Sequence, residues 1–207
     1  FEEEIRPYWK GRSNYEAWLA QIPEDVAALR DNGALYIDKK AVRGWGEVTA
    51  GYEWFIKNGV NGIVKLVEAQ KAGLDATRPG DYEKEAYLDS LLVVAEGMLT
   101  LAERYALEAD RLASAEQDPA RRRELRKIAE ICRHVPAQPA CTFHEALQSF
   151  YFYQIFLFME QNAAAYNPGR MDQYLYPYYK ADHDAGRITP EEAQELLDCL
   201  WVTFSEQ

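Results

Sequence analysis

Basic residues are scarce in this 207-residue chain, in which 23 lysines and arginines face 34 aspartates and glutamates. The resulting formal net charge of −11 argues against binding to nucleic acid or to an anionic membrane surface. Long apolar runs are also lacking, since none reaches the roughly 18 residues of a transmembrane helix, and the first residues do not resemble a signal peptide. Only three cysteines occur, at unrelated spacings, which favours free thiols in a reducing cytoplasm.

Common catalytic motifs are lacking as well. The sequence contains no H-E-x-x-H zinc motif, no phosphate-binding loop and no G-x-S-x-G nucleophile turn. Gly44 and Gly46 match the first two glycines of a dinucleotide-binding fingerprint, but Thr49 stands where the third small residue belongs. This glycine-spaced stretch, residues 41–51, is either a plain connector or a segment that carries Trp45 and Glu47 toward a cavity. The sequence leaves both interpretations open.

Four soft metal ligands lie within thirteen residues, namely Cys132, His134, Cys141 and His144. Residues of these types bind zinc, but their spacing fits no common zinc module. The prolines between the two pairs favour a plain connector instead. We therefore predict no metal site, and a zinc-binding helical module is kept as a weaker alternative that metal analysis would test.

Helical periodicity is abundant. Apolar residues recur at three- and four-residue steps over residues 49–72, 81–117 and 118–134 and again from 142, which predicts a mostly helical chain without internal repeats. Asn14 is the expected N-cap of the second helix, and Thr142 with Glu145 predicts a capping box at the start of the helix from 142. Gly59 and Gly62 either weaken the fourth helix or signal close packing inside it. Both ends fall within helical patterns, so we expect a fragment of a larger domain.

The stretch from Glu160 to Tyr179 organises the rest of the chain. It follows a strongly apolar run, residues 150–159, that belongs inside a protein, and polar side chains then return beside a Pro-Gly break. Because buried polar groups must be paired, this pattern predicts a pocket wall with Asn162, Asn167, Arg170 and Asp172 as candidate binding residues. For Arg170 and Asp172, locking the loop is favoured over contacting a substrate.

Six stretches, in the same order along the chain, resemble the glycyl radical enzymes, in the pyruvate formate-lyase-like domain of their dehydratase and C–X lyase branch. The most specific is P-G-R-M-D-Q-Y-L-Y-P-Y-Y. The six stretches are residues 5–12, 51–63, 102–106, 128–136, 142–148 and 168–179.

The resemblance implies that these residues form a helical outer layer and the early part of a ten-stranded α/β barrel. It implies a small-molecule substrate, a homodimer, and a glycyl radical installed by an activating enzyme that uses S-adenosylmethionine and an iron–sulfur cluster. That radical would oxidise a cysteine to the thiyl radical that attacks the substrate. Cys132, Cys141 and Cys199 do not match the family's cysteine loop, so no catalytic residue is expected within these 207 residues and the fragment alone is expected to be inactive.

Departures from the family pattern bear on the substrate. In members that dehydrate diols, a His-Ser pair precedes the Gly-Arg pair, whereas Ala164 and Ala165 align there; a Gly-x-Gly-His motif is matched with Glu47 in place of histidine. Losing these hydrogen-bonding partners disfavours glycerol-like substrates. We expect an apolar part of the substrate against the two alanines and a cationic or donor group facing Glu47, unless Glu47 pairs with Arg43.

Two classes of function therefore remain. The first is a piece of a glycyl radical lyase that cleaves a C–C, C–O or C–N type bond. The second is a catalytically inert helical scaffold or binding protein that has kept the outer layer of the family.

Overall fold

The computed structural model describes residues 1–35, 48–75, 77–161 and 165–204. They form nine helices and two short strands: α1 (Ile5–Trp9), α2 (Asn14–Leu19), α3 (Glu24–Asp31), β1 (Val48–Thr49), α4 (Tyr52–Ala72), α5 (Asp81–Ala115), α6 (Pro119–His134), α7 (Phe143–Gln161), β2 (Tyr166–Asn167), α8 (Met171–Asp184) and α9 (Pro190–Phe204). The two strands pair in a two-stranded sheet. The predicted helical character is confirmed, whereas the ten-stranded barrel is not visible in these residues and stays a prediction.

The chain divides into two compact units. The first comprises Phe1–Val48 and Leu157–Asn167, and the second comprises Thr49–Phe156 and Pro168–Gln207. In the first unit no residue of α1 or α3 is buried. Among the described helices of both units, none combines the length and apolarity needed to cross a membrane.

The cap of α2 differs from the predicted one. Ser13, not Asn14, is the N-cap: its hydroxyl accepts a hydrogen bond from the N–H of Glu16 at 3.2 Å. The carboxylate of Glu16 in turn accepts hydrogen bonds from the hydroxyl of Ser13 at 2.6 Å and from its N–H at 3.3 Å. This arrangement is a complete capping box, which prevails because a serine and a glutamate three residues apart satisfy two orphan groups reciprocally.

Small residues determine how closely α5 packs in the second unit. Ala102, Ala106, Ala109 and Ala113 are buried at three- and four-residue steps along one face. With no side chain beyond Cβ, this face lets α6 approach closely. Ala102 and Ala106 form a cluster with Cys132 of α6 and with two phenylalanines of α7, Phe152 and Phe156.

Aromatic rings join α4 to α7. Phe55 stacks on Tyr153 with ring centroids 4.2 Å apart, and Tyr52 stacks on Phe150 at 4.7 Å. The buried hydroxyl of Tyr52 donates a hydrogen bond to the side-chain oxygen of Gln154, so this polar group has a partner within the apolar layer.

A break in α4 receives the proline connector that follows α6. At Gly59 the backbone leaves helical geometry, with φ +64° and ψ −179°. The N–H groups of Val60 and Asn61 donate instead to the carbonyls of Pro136 and Ala137 at 2.8 and 3.0 Å. A Cβ on Gly59 would lie 2.7 Å from the carbonyl oxygen of Ala137, which confirms the predicted close packing at this glycine.

Candidate functional site

The predicted binding residues fall partly outside the described part of the chain. Trp45, Glu47, Asn162 and Ala164 lie outside the described residues, so their proposed roles stay predictions. Ala165 and Asn167 are exposed, with Asn167 in β2. Arg170 and Asp172 belong to the second unit, at the start of α8.

Arg170 and Asp172 pair with each other. The Nε and Nη2 atoms of Arg170 donate to the two oxygens of Asp172 at 3.2 and 3.1 Å, in a bidentate arrangement. This hydrogen bonding lowers the pKa of Asp172. Both side chains are more than two-thirds exposed, and exposed pairs of this kind add little stability. The side chain of Arg170, the N-cap residue of α8, makes no capping hydrogen bond to the helix. Locking of the loop by this pair and contact of either residue with a substrate stay predictions.

The segment that leads into α8 is anchored to the core of the second unit. The hydroxyl of Tyr174 donates to the carbonyl of Pro168 at 2.9 Å, while its ring stacks on Tyr52 and Phe150. Burial raises the pKa of Tyr174 far above its ordinary value, so this hydroxyl remains a neutral donor. Gly169 has φ +66°, and a Cβ there would lie 2.8 Å from Cγ2 of Thr49. The chain therefore enters α8 in a fixed path.

An apolar groove lies between α8, α9 and the start of α7. Its volume is about 550 Å³, which is within the range of small-molecule sites. Asp172 and Gln194 are among the few polar side chains at this groove. The apolar lining is Phe143, Met171, Leu175, Tyr176, Tyr179, Pro190, Ala193, Leu197 and Trp201.

A buried carboxylate holds two walls of this groove together. Asp182, near the end of α8, accepts a hydrogen bond from the N–H of Phe143, the first residue of α7, at 2.7 Å. The same carboxylate pairs with Arg187 at 2.7 Å. Its side chain is only 6% exposed. Because it satisfies an orphan donor of the first turn of α7, Asp182 fixes where this helix begins relative to α8.

The four cysteines and histidines that lie close together in the sequence do not form one cluster in the structure. Cys132 is buried, which raises the pKa of its thiol to about 11, and burial lowers the pKa of His144. Among the described residues, His134, Cys141 and Glu145 bring one potential ligand atom each to within 4.8 Å of one another. These three side chains are the part of the described structure best suited to hold a metal ion.

The groove and this three-residue cluster were not predicted from the sequence. A signal for the groove does exist: Met171, Leu175 and Tyr179 repeat at four-residue steps, as do Ala193 and Leu197 of α9. The cluster could not be read from ligand spacing alone, because it draws one ligand from each of three consecutive elements.

Comparisons with known proteins give consistent results over the whole chain. The family model described as pyruvate formate lyase-like matches residues 1–207. An isethionate sulfite-lyase from Desulfovibrio desulfuricans is 38% identical over 213 aligned residues, which cover 99% of this chain and 26% of that protein. The chain thus spans about a quarter of the length of the relatives that it matches.

Two solved structures are similar in both sequence and fold. Hydroxyproline dehydratase from Clostridioides difficile, with trans-4-hydroxy-L-proline bound, has a TM-score of 0.86 and 34% identity, over 100% of this chain and 26% of that one. A structure that concerns 1,2-propanediol dehydration in Roseburia inulinivorans has a TM-score of 0.85 and 36% identity, over 95% and 25% respectively.

Proposed function

This chain belongs to the pyruvate formate lyase-like family, and we propose that it contributes the early part of that domain to a glycyl radical lyase. The observation that carries the proposal is similarity along the entire chain to lyases and dehydratases that are about four times as long. Their named activities release different groups from different substrates, and release of sulfite from isethionate breaks a C–S bond. The proposal is therefore a lyase that cleaves a C–C, C–O, C–N or C–S type bond, which adds C–S to the types expected from the sequence.

The radical chemistry would come from residues that this chain does not provide. In the proposed reaction, a glycyl radical generates a cysteine thiyl radical that abstracts hydrogen from the substrate. Such a site must exclude water. Cys141 and Cys199 are exposed, and Cys132 is buried among alanines and phenylalanines. None of the three fits the catalytic thiol, so these 207 residues alone are proposed to be inactive.

The role proposed for this chain is to bind and orient the substrate. Trp45, Glu47 and the residues from Asn162 to Asp172 would line part of the pocket. Ala164 and Ala165 would lie against an apolar part of the substrate, and the carboxylate of Glu47 would accept a hydrogen bond from a cationic or donor group.

The proposed preference separates this protein from enzymes that act on plain diols. Hydroxyproline dehydratase binds trans-4-hydroxy-L-proline, which carries a ring amine as well as one hydroxyl group. A cationic amine is the kind of group that a carboxylate partner suits. Similarity to the propanediol structure is of the same order, so overall identity does not decide between them. The substrate preference depends on Glu47, Ala164 and Ala165. A site that hydrogen-bonds the hydroxyl groups of its substrate discriminates between substrates through the residues that make those hydrogen bonds.

A spectroscopic experiment tests the radical proposal. The complete gene product would be produced without oxygen together with its activating enzyme and S-adenosylmethionine, and examined by electron paramagnetic resonance. We expect an organic radical signal that disappears on exposure to air. A protein that never gives this signal, although its activating enzyme reacts with S-adenosylmethionine, would be the inert helical scaffold instead.

A kinetic comparison tests the role of Glu47. In the active complete protein, Glu47→Gln is expected to lower kcat/KM at least about tenfold for an amine-bearing substrate, because a charge-assisted hydrogen bond is lost. The value for a neutral substrate should change little. Glu53→Gln is the matched control, since Glu53 is exposed and pairs with Lys57 on α4. Unchanged kcat/KM for both substrates would remove Glu47 from the site and favour its pairing with Arg43.

A further inference from the structure

The end of α6, the proline connector and the start of α7 bring three metal-ligating side chains together. His134 is the last residue of α6, Cys141 ends the connector, and Glu145 lies in the first turn of α7. We propose that His134, Cys141 and Glu145 form a binding site for a zinc ion, a site independent of the radical chemistry proposed above.

The distances between the donor atoms carry this proposal. Nε2 of His134 lies 3.9 Å from Sγ of Cys141 and 3.8 Å from Oε2 of Glu145. The carbonyl oxygen of Pro139 lies 3.1 Å from the same Nε2 and 3.7 Å from the same Sγ. In a tetrahedral zinc shell, bond lengths of about 2.0–2.3 Å separate neighbouring ligand atoms by about 3.3–3.6 Å. Small side-chain rotations would therefore close the shell around one ion.

The donor set selects the metal. A thiolate, an imidazole and a carboxylate together favour zinc over magnesium or calcium, which prefer oxygen ligands alone. The fourth position would be taken by the Pro139 carbonyl or by water. Cys141 is exposed and His134 is half-exposed, so an ion can reach the cluster from solvent.

Backbone groups already orient the carboxylate. Oε2 of Glu145 accepts hydrogen bonds from the N–H of Cys141 at 2.8 Å and of Thr142 at 3.2 Å, while the hydroxyl of Thr142 accepts from the N–H of Glu145. This is the predicted capping box of α7, and it leaves the side chain of Glu145 only 13% exposed. A carboxylate can accept more bonds than these two. The capping box therefore orients the carboxylate of Glu145 and leaves it able to bind a metal ion.

Proton balance is simple for this site. In the metal-free protein, Nε2 of His134 is placed to donate its proton to the Pro139 carbonyl. On binding, that proton moves to Nδ1 through solvent, Nε2 becomes the ligand, and the thiol of Cys141 loses its proton to buffer. One zinc ion is therefore exchanged for one released proton, and no oxidant or reductant is required.

The proposal differs from the pairs that sequence spacing suggested. Cys132 packs against α5 and α7 inside the core, and His144 is mostly buried, so neither joins the cluster. Glu145 replaces them. The expectation of no metal site considered only cysteine and histidine, and it is replaced here by a mixed-ligand site.

Cobalt substitution tests the site directly. The purified protein, treated with a chelator and kept reduced with a phosphine, would be titrated with Co²⁺ in excess Mg²⁺, which occupies non-specific acidic sites. We expect one equivalent to give a thiolate-to-cobalt charge-transfer band, and Zn²⁺ to abolish it. The proposal would be overturned if no charge-transfer band appeared after one equivalent of Co²⁺ had been added.

Matched variants locate the binding. Cys141→Ser is expected to remove the band and weaken zinc binding at least about tenfold, because the softest ligand is lost. Cys199→Ser is the control, since Cys199 is also exposed but lies on α9. His134→Ala should weaken zinc binding while keeping the helical circular dichroism of the parent. If Cys141→Ser and Cys199→Ser bind zinc as tightly as the parent, the ion is held elsewhere and the proposal is wrong.

Discussion

Asp182 shows how much one buried carboxylate can determine. It accepts the N–H of Phe143 and pairs with Arg187 from a buried position. Asp182→Ala leaves that N–H without a partner, and hydrogen bonds to charged groups contribute about 1.5–3 kcal/mol. We expect the free energy of unfolding to fall by about 2–3 kcal/mol, measured by urea denaturation.

Asp184 provides a control on the same helix. Its exposed carboxylate pairs with Lys180 at 2.6 Å. Surface pairs contribute little, so Asp184→Ala should change the free energy of unfolding by less than about 0.5 kcal/mol. Equal losses for the two variants would mean that the Asp182–Phe143 hydrogen bond does not hold α7 to α8.

Glu16 carries a pH dependence that belongs to its cap. Hydrogen bonds from the Ser13 hydroxyl, from the N–H of Gly11 and from the N–H of Ser13 lower the pKa of this carboxyl. Because the folded-state pKa is the lower one, the cap stabilises α2 above the unfolded pKa of about 4.3, and that contribution is lost as pH falls through the folded value. Ser13→Ala is expected to raise the pKa of Glu16, which can be measured by NMR titration of its carboxyl group.

A second serine tests whether the effect is local. Ser90 donates to the carbonyl of Tyr87 on α5 and has no acidic partner in that bond. Ser90→Ala should therefore leave the titration of Glu16 unchanged. The cap would be refuted if Glu16 titrated identically in the parent and in Ser13→Ala.

At the scale of the element, α4 depends on one glycine to change direction. Gly59 occupies a region of backbone geometry that is essentially reserved for glycine. A methyl group there would also press on the carbonyls of the connector. Gly59→Ala should lower the free energy of unfolding by about 2–4 kcal/mol, from the backbone strain and the overpacking together.

Gly97 is expected to show the opposite effect on the free energy of unfolding when it is replaced by alanine. It lies inside α5, and a Cβ there would meet nothing within 4 Å. Since glycine in a helix costs about 0.5–1 kcal/mol relative to alanine, Gly97→Ala should raise the free energy of unfolding by about that amount. If Gly59→Ala and Gly97→Ala changed the free energy of unfolding by a similar amount, the break in α4 would not require a glycine.

Across the whole molecule, local patterns predicted more than contacts between distant residues. The periodicity of α5 and the Thr142–Glu145 capping box could be predicted from the sequence because both depend on residues at most four positions apart. The groove lined by Phe143 and Trp201 and the cluster of His134 with Cys141 depend on how helices meet, which no spacing rule contains. The Ser13 cap was missed for another reason: Asn14 was an equally good residue type one position later.

Burial differs sharply along the chain, and this predicts how it opens. No residue of α1 or α3 is buried, whereas α5 buries several alanines and α6 buries Leu125, Ile131 and Cys132. Segments with few buried contacts open at low free energy, while core helices open only near global unfolding. Amide hydrogen exchange of the purified protein should therefore show protection in α5 and α6 at least about a hundredfold above that in α1 and α3.

Exchange in α2 and α7 sharpens this test. α2 has a complete capping box, but none of its residues 16–19 is buried, so its protection should stay close to that of α1 and α3 if burial governs stability. α7 contains the fully buried Phe150 and Phe152 and should exchange with α5. If α1 to α3 were instead as protected as α5, these helices would be covered in solution by contacts outside the described residues, and local burial would be the wrong guide to the stability of this part of the chain.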